Sequence, residues 1–263
     1  MDLDSYFQRI GWQRGRETSV EVLKGIHLAH TSRIPYENLD ILLGRGISLE
    51  PSAIERKIVR EGRGGYCFEQ NALMALVLEQ LGFRVTRLAA RVRLLSTGLT
   101  PRTHQILLVE CEARRWLVDV GFGGWGLLEP IPLEAGGRIR QGVWDVRLDG
   151  EGDYWVMRCP QSPMGEDQYT FTLEPQFPID YVLANHYCAT HPESRFVRTL
   201  TAQKASLEKR YVLRNLDLTV TDEHGSRTMP IQPGELLEVL ESRFGLYFPP
   251  GTIFRTSTGA INA

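Results

Sequence analysis

The sequence predicts an α+β protein whose helices and strands are segregated along the chain. Three observations predict it. Helical periodicity and capping signals fill the first third, short β-type runs separated by Gly, Pro, Asp and Glu follow Gly82, and a final segment mixes the two patterns. Segregation of this kind disfavours a doubly wound parallel sheet, which needs helices and strands to alternate.

The helical third has three candidate helices. In "TSVEVLKGIHLAH", Thr18 and Glu21 stand at capping-box spacing, and Val20, Leu23, Ile26 or His27, and His30 recur at helical period; the helix should end before Ile34-Pro35. "PSAIERKIVREGRGG" opens with Pro51 near a helix start and stops at glycine, with Ile54, Ile58 and Val59 on one face. "CFEQNALMALVLEQLG" runs from about Cys67 until Gly82 supplies a C-terminal cap.

Six β-type runs come next: "RVTRLAARVRLL", "HQILLVEC", "RRWLVDVGF", "GVWDVRLD", "DYWVMRC" and "QYTFTL". Their hairpin-like spacing points to an antiparallel sheet or barrel. The mixed segment reads as a helix over "PIDYVLANHYCAT", strands over "RFVRTLTAQ", "EKRYVLRN" and "LDLTVTDE", and an amphipathic helix over "PGELLEVLESRFG". No internal repeat is visible, so solenoid readings drop out.

Composition narrows the function classes. A chain of 263 residues with 42% hydrophobic residues, 24% charged residues and five tryptophans belongs to an ordered globular protein of one or two compact units. The formal net charge of -2, with Lys and Arg scattered, argues against nucleic acid as a main partner. The N-terminus lacks a signal-like layout and no apolar stretch approaches the roughly 20 residues of a membrane helix, so a cytoplasmic location without membrane association is expected. Cys67, Cys111, Cys159 and Cys188 include no CxxC pair, which excludes a zinc-ribbon pattern.

Cys67 stands apart from the other thiols by its position. In the first turn of a helix it lies near unpaired backbone N–H groups and the positive end of the macrodipole, which favour thiolate, and Gly64-Gly65 before it allow close approach. Glu69 opposes the thiolate unless its charge is paired or turned away. Most non-disulfide cysteines are packing residues, so the local sequence leaves both readings open.

A nucleophilic thiol needs a base, and the base needs an orienting group. His104 opens one strand and Asp119 closes the next; strands joined by a short turn at Cys111 to Arg114 would bring the two residues together at one sheet edge. An edge histidine and an aspartate before a glycine turn also occur without any catalytic role. The loop "GFGGWG", Gly121 to Gly126, could present backbone N–H groups to a phosphate or simply form a tight turn. His27 with His30, and His186, Cys188 and His191, lack the further ligands that a metal site needs, so no metal is expected.

Taken together, these residues resemble the arylamine N-acetyltransferases. "RGGYCFEQN" is similar to the family's active-cysteine motif, "IPYENLD" (Ile34 to Asp40) to its N-terminal motif, and "THQILLV" and "WLVDVGFGG" to its His and Asp segments, in the family's order. The specific motifs cover Tyr6 to Gly126; beyond Leu128 the resemblance rests on length and on strand and helix order.

The resemblance implies a cysteine-protease-like Cys-His-Asp arrangement on a helical bundle (1–83), an antiparallel β-barrel (84–190) and an α/β lid (191–263). It also implies a ping-pong transfer of acetyl from acetyl-CoA, through an acetyl-cysteine on Cys67, to an aromatic amine or hydrazine. His104 would serve as base and Asp119 as its orienting group. By matching position, Tyr36, Phe122, Gly124 and Gly126 should line the arylamine pocket, and Thr103, Gly123 and Gly124 should contact CoA, with Arg63 and Glu69 supporting the site. A monomer or weak homodimer is expected. The triad alone would equally serve a related acyltransferase or amide synthase with another donor, or a cysteine hydrolase.

Overall fold

In the computed structural model, residues 1–96 and 98–262 are described. The N-terminal segment builds α1 (Leu3–Ile10), α2 (Val20–Arg33), the two-residue strand β1 (Tyr36–Glu37), α3 (Leu39–Leu42), α4 (Pro51–Ile54) and α5 (Cys67–Gln80). Asp2 caps α1 by accepting the Ser5 N–H at 3.1 Å. The cap of α2 is Ser19 and not Thr18: the Ser19 hydroxyl accepts the Val22 N–H at 3.3 Å, because it lies three residues before a first-turn amide that has no other acceptor. Beyond α4 the chain widens into a π-helical turn over Glu55–Arg60, closed by Glu61 N–H donating to the Arg56 carbonyl at 2.9 Å.

Eight strands then form one antiparallel sheet. They are β2 (Arg84–Val92), β3 (Arg102–Cys111), β4 (Arg114–Val118), β5 (Ile131–Pro132), β6 (Ile139–Gln141), β7 (Trp144–Glu151), β8 (Tyr154–Arg158) and β9 (Asp167–Phe171), in the order β5-β4-β3-β2-β9-β8-β7-β6. Glu112 and Ala113, at φ 50° and 59°, make the two-residue turn between β3 and β4. The run Ile106-Leu107-Leu108-Val109 is apolar throughout because both of its faces are covered. Leu107 and Val109 join Ile26, Met74 and Leu78 of the helices, while Ile106 and Leu108 join Trp144, Met157 and Phe171 inside the sheet's curve.

The C-terminal segment contributes α6 (Asp180–Thr190), α7 (Arg195–Arg198), strands β10 (Thr201–Ala205), β11 (Arg210–Arg214), β12 (Asp217–Asp222) and β13 (Gly225–Pro230), then α8 (Leu236–Val239) and the hairpin β14 (Ile253–Thr256) and β15 (Gly259–Asn262). Its five-stranded sheet has the order β1-β10-β11-β12-β13, so Tyr36 of the N-terminal segment pairs with Gln203. The strand expected over residues 195–203 starts only at Thr201. Before it, Ser194 caps a helical turn by accepting the Phe196 N–H at 3.2 Å, and Asn38 Nδ2 donates to the Phe196 and Thr199 carbonyls at 2.7 and 2.8 Å. Side-chain capping and carbonyl capture outcompete the β-pattern there.

Among the described residues no helix is long and apolar enough to cross a membrane.

Candidate active site

Cys67 is the first residue of α5 and is 3% exposed. Its thiol points to the Thr103 carbonyl at 3.7 Å. Burial pushes the thiol well above its ordinary pKa, and Cys188 and Asp119 add to this; the Gln105 and Phe68 amides pull the other way. The helix start therefore does not acidify the thiol by itself, as its sequence position suggested, because desolvation outweighs the first-turn amides.

The carboxylate that threatened the thiolate is turned away from it. Glu69 Oε2 accepts the Tyr66 N–H at 3.1 Å, and Glu69 Oε1 accepts from Lys57 Nζ at 2.7 Å. Lys57 also meets Asp40 Oδ2 at 3.0 Å, while Arg63 donates to Asp40 Oδ1 at 3.1 Å and to Glu37 Oε1 at 2.8 Å. Two cations and three carboxylates thus tie the "IPYENLD" stretch to "RGGYCFEQN". Burial pushes Lys57 down, but Glu69, Glu37 and Asp40 outweigh it and hold the ammonium above its ordinary range.

β3 and β4 pair with Leu107 opposite Val118, which sets His104 and Asp119 diagonally across the end of the ladder. His104 Nε2 and Asp119 Oδ2 are 2.8 Å apart, with both side chains buried. Asp119 is held from several sides: Asn71 Nδ2 donates to its Oδ1 at 2.9 Å, and Gly121 N–H donates to Oδ1 at 3.0 Å. Burial pushes Asp119 up, but His104, Asn71 and Gly121 outweigh it and keep the carboxyl below its usual range. With Nε2 occupied by Asp119, the other ring nitrogen of His104 is left for the cavity that His104 shares with Cys67.

That cavity has a volume of about 300 Å³ and is bordered by Cys67, His104, Tyr36, Thr103, Phe122 and Gly124, so it gathers the expected thiol, base, one CoA residue and three substrate or CoA residues. Gly123 and Gly126 border instead a smaller space of about 40 Å³ behind the glycine loop, which Asp119, Tyr36, Phe122 and Gly124 also reach. Phe122 packs edge-on against His104, with ring centroids 5.1 Å apart. Gly123 and Gly124 have φ of 65° and 52°, a conformation that favours glycine. Gly121 serves a different purpose: a Cβ there would meet the Cys67 Cα and Asn71 Nδ2, both at 2.7 Å, so its bare backbone lets α5 approach β4.

Several supporting residues escaped the sequence reading. His27 Nδ1 donates to the Leu128 carbonyl at 2.8 Å, leaving Nε2 to accept the Asp119 N–H at 3.2 Å. His30 bridges Tyr6 and Gln70, and Gln70 Nε2 donates to the Gly65 carbonyl at 2.7 Å, steadying the turn before Cys67. Burial pushes His27 down to about 4 and His30 to about 3. Asn71 carried a legible signal, one helical turn beyond Cys67 in the same motif; the histidines carried none beyond their helix face. Tyr169 packs against His104 at 5.1 Å, and its buried hydroxyl has no partner among the described residues. No group of three His, Cys, Asp or Glu side chains among the described residues could hold a metal ion.

A family model described as N-acetyltransferase matches residues 19–251, well past the Gly126 boundary of the motif-level resemblance. An arylamine N-acetyltransferase of Escherichia coli is 38% identical over 255 residues, covering 93% of this chain and 88% of that one. The solved structure of arylamine N-acetyltransferase from Mycobacterium tuberculosis is 37% identical and superposes with a TM-score of 0.89, covering 93% of each chain. A Mycobacterium marinum arylamine N-acetyltransferase solved in complex with CoA is 33% identical, with a TM-score of 0.87 over 93% of this chain and 92% of that one. This identity, over 93% of the chain, shows that the chain belongs to the arylamine N-acetyltransferase family.

Proposed function

We propose that the protein transfers acetyl from acetyl-CoA to an aromatic amine or hydrazine through an acetyl-cysteine on Cys67. The observation that carries this reading is the cavity that His104 and Cys67 both border while Asp119 engages His104 Nε2, which leaves the other ring nitrogen to act as base. Family membership supports the choice of donor and acceptor, since a family member has been solved with CoA.

In the first half-reaction His104 takes the thiol proton as Sγ attacks the thioester carbonyl. The Cys67 backbone N–H, a first-turn amide outside the helix's own bonding, supports the oxyanion. Collapse expels the CoA thiolate, which recovers the proton from the imidazolium and leaves acetyl on sulfur. In the second, the amine attacks the acetyl group, His104 takes the amine proton, and Cys67 departs and regains it. Asp119 holds the ring and offsets its transient charge. Arylamines suit the site because their low basicity leaves the lone pair free near neutral pH. Tyr36, Phe122, Gly124 and Gly126 are proposed for the arylamine, and Thr103, Gly123 and Gly124 for CoA.

The test is incubation with acetyl-CoA and no amine, followed by intact-mass analysis and peptide mapping. An acetyl group on Cys67, discharged by added arylamine, is the expected result; folded protein that stays unmodified sinks the proposal.

A further inference from the structure

Among the described residues, Arg210 is a buried charge with no ion-pair partner. It lies on β11, is 5% exposed, and among the described residues no carboxylate reaches it within ion-pair distance. Its Nε is buried without a hydrogen-bond partner. One face of the guanidinium lies over the Trp125 ring, 4.3 Å from its centroid. Other buried arginines differ: Arg63 has both Glu37 and Asp40, and the partly exposed Arg158 has three carboxylates. Burial, with Arg214 nearby, pushes Arg210 down to about 9, so it remains a cation at neutral pH while poorly solvated.

Burying a cation without a counter-charge is costly, and a protein keeps such a group where a ligand completes it. Arg210 borders the Cys67 cavity and the small space behind the glycine loop. Its Nη2 lies 3.8 Å from where a side chain on Gly124 would begin, so that glycine leaves the terminal edge uncovered. With Nε sealed and one face stacked, the terminal edge is what remains to offer, and it fits a single carboxylate bidentately. A pyrophosphate suits the mouth better, where Arg195 is exposed and Arg214 half-exposed. Phe122, Trp125 and Tyr36 around the same cavity supply walls for a flat ring.

We propose that Arg210 is a specificity-determining residue that binds a carboxylate carried on the aromatic ring of the acyl acceptor, so that the protein prefers acidic arylamines such as aminobenzoates. This rests on the reading of the Cys67 cavity as the place where acceptors bind.

The test compares the three ring isomers of aminobenzoate with their methyl esters, which keep the ring and the weakly basic amine but lose the charge. For at least one isomer, kcat/KM for the acid exceeds that for the ester tenfold or more in the wild type. Arg210→Met reduces that acid-to-ester ratio at least tenfold, and Arg210→Lys, which keeps the charge without the fork, falls between. Should Arg210→Met not fold, inhibition of the wild type decides: benzoate competes with the arylamine at least tenfold more tightly than benzamide. The proposal is overturned if Cys67 is acetylated normally yet no isomer is preferred over its ester, or if the ratio survives Arg210→Met. It is equally overturned if the variant raises KM for acetyl-CoA with the ratio unchanged, or if benzoate competes with the donor. Failure of Cys67 to acetylate is a separate result, which removes the reading of the site itself.

Discussion

Asn71 Nδ2 donates to Asp119 Oδ1 at 2.9 Å, so the helix that carries the thiol at its first residue also holds the carboxylate behind the imidazole. The same amide donates to the Gln105 carbonyl at 2.7 Å and its Oδ1 accepts the Val120 N–H at 3.0 Å. One side chain therefore fixes α5 against β3 and the end of β4. Asn71→Ala strips the Val120 N–H of its acceptor and removes a donor from the Gln105 carbonyl and from Asp119 Oδ1, which keeps the Gly121 N–H, so it should cost about 2–4 kcal/mol of stability. Loss of the orienting bond should lower kcat/KM about 10- to 100-fold, by analogy with other supporting residues around reactive groups. Denaturant unfolding and steady-state kinetics check both. A variant with full activity would mean that Asp119 is held well enough without Asn71.

Asp119→Asn tests the carboxylate directly. An amide cannot offset the imidazolium charge, and it can donate to Nε2 and so favour the wrong tautomer; turnover should fall by about 10³ or more. Acetylation of Cys67 by acetyl-CoA, followed by mass in single turnover, should slow with it. Rates within tenfold of wild type would remove Asp119 from the mechanism.

Activation of the thiol can be separated from its position. Burial pushes Cys67 upward in pKa, so a fast thiol near neutral pH requires the His104 nitrogen as proton acceptor. Iodoacetamide should label Cys67 faster than Cys111 or Cys188 in the wild type. In His104→Gln the rate at pH 7 should fall at least tenfold and its rise should move to alkaline pH. Equal labelling in the two proteins would show that the helix start suffices.

How far the sequence carried the argument differs from residue to residue. Cys67, His104 and Asp119 were legible because each sits where a change of pattern occurs, at a helix start or a strand end, in motifs with local spacing. β1 was not, since two residues show no alternation and Tyr36 finds its strand partner Gln203 far along the chain. α7 was hidden because Ser194 and Asn38 override a β-type pattern through side-chain hydrogen bonds. Arg210 is the extreme case: what distinguishes it is the absence of a charged partner among the described residues, and an absence in space leaves no trace in a string of letters.

Two of the buried histidines, His27 and His30, make stability depend on pH. His27 and His30 are pushed down to about 4 and about 3, against an ordinary 6.5. Their folded-state pKa values lie below those of the unfolded chain, so the unfolded state binds more protons between pH 6.5 and 4. The stabilisation from keeping them neutral is fully present above 6.5 and is lost as pH falls through that window. Between pH 7 and pH 5 the unfolding free energy should drop by about 2–4 kcal/mol. Urea titrations at the two pH values decide it; a flat or rising stability would contradict the neutral assignment that His27 needs to accept the Asp119 N–H.

Gly121 provides the sharpest steric prediction. A methyl group there would sit 2.7 Å from the Cys67 Cα, a backbone atom that cannot swing aside as a long side chain can. Gly121→Ala should therefore push the first turn of α5 away from β4, costing about 1–3 kcal/mol as overpacking. It should also lower kcat, because the thiol starts α5 while Asp119, at the end of β4, holds His104, and a shift of about 1 Å between them can cost about 100-fold. Gly150→Ala is the control: its added carbon would meet nothing closer than the Trp155 ring at 3.9 Å, so its stability and kinetics should match the wild type. If Gly121→Ala keeps wild-type kcat while Gly150→Ala does too, the close approach of α5 to β4 is not what aligns the thiol with its base.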